Sequence, residues 1–84
     1  MPNEQLRKFV RDASSGQLGL AEALRWLVEV RRKMDPADPE RALLDRFVTL
    51  DEKFDLARAG YADMAELTEE LRAALDELRR QLGV

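Results

Sequence analysis

The sequence predicts an all-α protein, a small four-helix bundle built from two antiparallel helical hairpins. Helix formers dominate, with 14 Leu and 11 Ala, against only five Val, two Thr and no Ile. Apolar residues recur at spacings of three and four and never alternate convincingly. Chain breaks fall at three places: Ser14-Ser15-Gly16, Asp35-Pro36-Ala37-Asp38-Pro39 and Gly60. The 84 residues make one domain, and 45% of them are apolar, too many and too well patterned for a disordered chain. A chain this short buries only about 60–65% of the surface its unfolded form exposes, so the core is expected to be thin.

The first helix is expected over about 3–14, started by an Asn3 cap or by Pro2 in the first turn. Leu6, Phe9, Val10 and Ala13 share one face, and Gly16 is placed to end the helix in a left-handed conformation. The second helix is expected over about 20–34. Leu20, Leu24, Leu27 and Met34 cluster within about 80°, and Trp26 and Val28 lie about 100° to either side of Leu27. Its apolar girth of about 200° exceeds what a surface helix needs, so it either sits centrally or turns a flank to a partner.

Pro36 stops that helix, and Asp38 with Pro39 caps and starts the next, expected as one straight α-helix over about 39–59. Leu43, Phe47, Leu50, Phe54, Ala57 and Tyr61 advance by 18 residues in five steps, the helical period, with Leu44 and Val48 widening the stripe. Tyr61 is expected to close the end of the bundle with its hydroxyl in water. Asp63 and Glu66 resemble a capping box for the last helix, expected over about 64–82 with Met64, Leu67, Leu71, Leu75, Leu78 and Leu82 inward. The predicted centre is Leu24, Leu27, Phe47, Leu50, Phe54, Leu67, Leu71 and Leu75. A faint echo at an offset of 44, pairing Leu6, Gly16 and Leu27 with Leu50, Gly60 and Leu71, fits the shared punctuation of two hairpins.

Missing residues narrow the chemistry. Without Cys there are no disulfides, thiolate nucleophiles or sulfur-ligated zinc; without His the commonest general base and metal ligand is gone. No phosphate-binding glycine motif is present. The chain is therefore read as a non-enzyme with no cofactor and no metal site. The i,i+4 pairs Asp51/Asp55 and Glu66/Glu70 raise a hard-cation site as a further hypothesis, against the plainer reading of solvated polar faces. No apolar run approaches the roughly 18 residues of a membrane span, and the first residues lack the layout of a signal peptide, so a cytoplasmic location without membrane contact is expected.

Charge is uneven: residues 1–46 carry a net +1 and residues 47–84 a net −4. The basic residues Arg7, Lys8, Arg11 and Arg32 are candidate phosphate contacts for an alternative, nucleic-acid-binding reading, which the net charge of −3 disfavours. The Ser14–Leu20 connection suits a helix-turn-helix, but the following helix has few donors left to read bases. Arg31-Arg32-Lys33 meets the negative end of a helix dipole, and Arg31, about 40° from Leu27, is placed to snorkel or to pair with a carboxylate of another helix. Trp26, flanked by Arg25 and Lys33, is read either as buried core or as an interface anchor.

Met1–Val10 resembles the start of the short helical docking segments of modular polyketide synthases. Asp35–Leu50 resembles their C-terminal counterparts, which also place an Asp/Pro-rich break before an Ala/Leu/Arg helix. Both stretches are short and generic in composition; the resemblance implies helical adaptors as a class and transfers no residue roles. The expected function is a protein-interaction module: an adaptor, small regulatory subunit or inhibitor. It would act through an apolar helix face with Trp26, Val30, Arg25, Lys33 and Arg31 at the interface, binding another protein or itself, with a homodimer expected.

Overall fold

In the computed structural model, residues 2–16 and 19–84 are described, with side chains in the first helix from Glu4 onward. Among these residues four α-helices follow in order: α1 (Pro2–Ser14), α2 (Leu20–Lys33), α3 (Asp45–Arg58) and α4 (Met64–Leu82), with a 3₁₀ segment, Pro39–Leu44, leading into α3. No strand occurs among the described residues. The expected Asn3 cap lies outside the described side chains.

The punctuation acts where the sequence put it. Gly16 takes φ 84° and its amide donates to the Ala13 carbonyl at 3.2 Å, ending α1. The Asp63 carboxylate accepts from the Ala65 amide at 2.9 Å and the Glu66 amide at 3.5 Å, capping α4. The Asp38 side chain accepts from the Glu40 amide at 2.9 Å, with Pro39 next to it.

The helices close into a ring in which α1 lies on α4, α4 on α3 and α3 on α2; α4 and α2 each touch all three other helices. Ion pairs fix the direction of the second hairpin. Arg46 reaches Glu77 at 3.3 Å and Lys53 reaches Glu70 at 3.5 Å. Seven residues forward on α3 are seven residues back on α4, so the two run antiparallel.

All eight residues predicted for the centre are buried, joined by Leu6, Val10, Ala23, Leu44, Ala74 and Leu78 among others. The wide apolar girth of α2 is used internally. Leu20, Trp26, Val28 and Val30 are half-buried edges packed against the core that Ala23, Leu24 and Leu27 enter.

Four expectations need correction. The stretch from Pro39 to Ala59 is not one straight α-helix. Its first six residues wind as 3₁₀, held by Arg7 on Glu40 at 2.5 Å, by Arg41 Nε on the Arg31 carbonyl at 3.2 Å and by Arg31 on Asp45 at 2.7 Å. The tighter winding adds about 20° per residue relative to an α-helix. Counted back from α3, this turns Leu44 toward the core and Leu43 away from it: Leu44 is 0% exposed, and Leu43 is only half-buried. Secondly, Tyr61 does not close the bundle end; it is 81% exposed. Gly60 turns the chain outward just before it. Thirdly, Met64 lies at the first turn of α4, beyond the reach of the core, and stays 41% exposed. Fourthly, Phe9 shares the apolar face of α1 with the buried Leu6, Val10 and Ala13 but is itself only half-buried at the edge of the core.

Candidate functional site

The proposed interface residues do not form one patch. Trp26, Val30 and Lys33 fall within about 60° on α2, whereas Arg25 and Arg31 lie about 100° and 140° from Trp26 in opposite directions. Trp26 stacks on Phe9, with ring centroids 3.8 Å apart and planes at 17°. This parallel pair ties α2 to α1 and engages one face of the indole within the chain. Arg31 is paired with Asp45 at 2.7 Å, the carboxylate of another element that its position anticipated. Arg25 and Lys33 are exposed.

The candidate phosphate contacts are dispersed as well. Arg7 holds Glu40, and Arg32 lies 3.4 Å from Glu29 on its own helix. Lys8 and Arg11 remain together on the exposed side of α1. Of the paired carboxylates, Asp55 is bonded by Arg58 and Glu70 faces Lys53. No group of three acidic side chains close enough to hold a metal ion occurs among the described residues. Among the described residues, no helix is long and apolar enough to cross a membrane.

A shallow groove of about 540 Å³ runs between the end of α1 and α4, with Ala13, Ser14, Leu20, Arg72 and Leu75 in its wall. Its wall also includes Asp76, a carboxylate that Arg79 and Arg80 already hold.

The turn between α3 and α4 has a different character. Leu56, 52% exposed, Tyr61, 81% exposed, and Met64, 41% exposed, gather there. Among the described residues these are the large apolar side chains that face solvent. The local backbone explains why two of them stand together. The Gly60 amide donates to the Ala57 carbonyl at 3.0 Å and the Tyr61 amide to the Leu56 carbonyl at 2.9 Å. With Gly60 at φ 90°, this is the paired hydrogen-bond ending that sets the third-last helical residue beside the residue after the glycine. The end of α4 uses the same bonds, Gly83 to Arg80 and Val84 to Arg79, yet its apolar residue Val84 packs against the core. After α3 the corresponding pair is left in water.

Electrostatics set the same turn apart. Residues 51–70, which flank it on both sides, hold seven Asp/Glu and two Lys/Arg, a net of −5 in a chain of net −3. Both cations are already engaged, Arg58 with Asp55 and Lys53 with Glu70. Glu52 lies one turn before Leu56 on α3, Glu66 and Glu69 lie in the first two turns of α4, and all three are exposed. Sequence reasoning missed this site. Its signal was Leu56, alone about 160° from the Phe54 stripe and five residues before Tyr61 across a glycine.

No family model, no curated protein and no solved structure matches this chain. The site must therefore be read from its own chemistry.

Proposed function

We propose that this chain is a non-enzymatic protein–protein interaction module, an adaptor or small regulatory subunit, that docks through the exposed α3–α4 turn. The observation that carries this reading is the exposure of Leu56, Tyr61 and Met64 at the α3–α4 turn, whereas the other large apolar residues among those described are buried or half-buried. Exposed apolar clusters rimmed by charge are the usual mark of a docking surface. Tyr suits such a site, because its ring gives contact area at low entropic cost and its hydroxyl tolerates water. A cytoplasmic location belongs to the same proposal.

The test is photo-crosslinking in the source cell, with benzoylphenylalanine replacing Tyr61 in the full chain and, separately, Trp26 or Thr49. The expected result is a discrete adduct from position 61 and none from position 49. An adduct from position 26 alone would move the interface back to α2. Adducts from none of the three would refute the reading.

A further inference from the structure

The partner's chemistry is also written on this surface. Resting on the docking role proposed above, we infer that the α3–α4 turn receives a cationic amphipathic protein segment, with apolar side chains on Leu56 and Tyr61 and Lys or Arg against the carboxylates around them.

Three observations carry this. The first is charge. The hairpin's turn half has a net −5, both of its cations are paired within the chain, and Glu52, Glu66 and Glu69 point their charge into solvent. Such a surface repels phosphate backbones and anionic membranes and attracts a basic segment. The second is size. Three apolar side chains fall far short of the roughly 800 Å² per partner of a standard protein interface, so the occupant is a short segment and not a second folded domain. The third is symmetry. A second copy docked turn to turn about a two-fold axis would set the same carboxylates against each other. A foreign basic segment meets no such repulsion.

The experiment uses the full chain, ¹⁵N-labelled, titrated with three synthetic peptides and followed by the amide resonances of residues 52–70. The probe is a short helical Leu/Lys peptide with Leu at i, i+3, i+4 and i+7; the controls are its Leu/Glu and Ser/Lys counterparts. The expected result is saturable binding of the Leu/Lys peptide, with shifts confined to the turn. Each control should bind about tenfold or more weakly, as should the Leu/Lys peptide on a Leu56→Ser/Tyr61→Ser chain. Both substitutions are on the surface, so retained helicity verifies that the variant folds. The inference is overturned by equal binding of the Leu/Glu peptide, by undiminished binding to the variant, by shifts on α1 or α2 instead of the turn, or by no binding. It is also overturned if light scattering over a concentration series shows a dimer that the double substitution dissociates, because a second copy is then the occupant. A crosslink from position 61 together with failure of the Leu/Lys peptide would leave the docking role standing and remove only the partner chemistry.

Discussion

Replacing Trp26 separates the two uses its position allows. An aromatic of this size buries about 150–250 Å² when fully enclosed, and Trp26 is half-buried against the core. Half of that area at about 25 cal/mol/Å² gives roughly 2–3 kcal/mol for Trp26→Ala. The stack on Phe9 at 3.8 Å should appear as a coupling of about 0.5–1.5 kcal/mol between the two rings. The assay is urea unfolding followed by circular dichroism for the parent, Trp26→Ala, Phe9→Ala and the double variant, so that no tryptophan signal is needed. In a domain of this length, the single substitution should lower Tm by about 10–20 °C. A loss below about 0.5 kcal/mol, the level of an ordinary surface substitution, would refute the argument. Trp26 would then contribute little to the fold, and its conversion to an interface anchor would become the better account of the residue.

Three further outcomes follow from the geometry. Leu44→Ala should cost about 2–5 kcal/mol in denaturant unfolding and Leu43→Ala less than half as much; the reverse order would mean that the chain enters α3 as α-helix and not as 3₁₀. Gly60→Ala should destabilise by about 1–2 kcal/mol in thermal melts, although a Cβ there meets nothing within 4 Å, because φ 90° is costly for any residue with a side chain. An unchanged melt would show that this turn does not hold its left-handed geometry. Asp63→Ala should cost about 1 kcal/mol through loss of the two capping bonds, with Asp63→Asn restoring most of it; equal loss in both variants would assign the effect to charge and not to the cap.

Most of the fold was legible in the sequence because its signals are local. Pro, Gly and Asp act through their own backbones, so Gly16, Gly60, Asp38 and Asp63 place helix ends without knowledge of the rest. The helical period of Phe47, Leu50 and Phe54 fixes a face whatever covers it. The errors arise where one element's geometry is set by another. The 3₁₀ winding at Pro39–Leu44 is tied by Arg7 and Arg31, which lie far away in sequence, and a period that fits Leu43 gave no sign of it. The partner of Trp26 depends on how α1 lies on α2, which no spacing encodes. Tyr61 fits the stripe numerically, but α3 ends before it and Gly60 redirects the chain. Periodicity continued past a helix end carries no information about facing.

The same reasoning favours the α3–α4 turn over α2 for the proposed docking site. A wide apolar girth on one helix is a demand for cover, and a four-helix ring meets that demand from within when the helix touches all three others, as α2 does. The relevant sequence feature is therefore not the most apolar helix but the apolar residue that no neighbour is placed to cover. Leu56 is such a residue: it lies opposite the core stripe, two residues past the core residue Phe54, beside a turn that ends in a solvent-facing Tyr. Its surroundings carry the chain's excess negative charge, while the paired and dipole-facing cations lie mostly toward the other end of the hairpins. An exposed leucine alone has no functional meaning. Exposed Leu56 and Tyr61, set on either side of the left-handed Gly60, with exposed Glu52, Glu66 and Glu69 on the flanking helices, are the features on which the proposed docking of an apolar, positively charged segment rests.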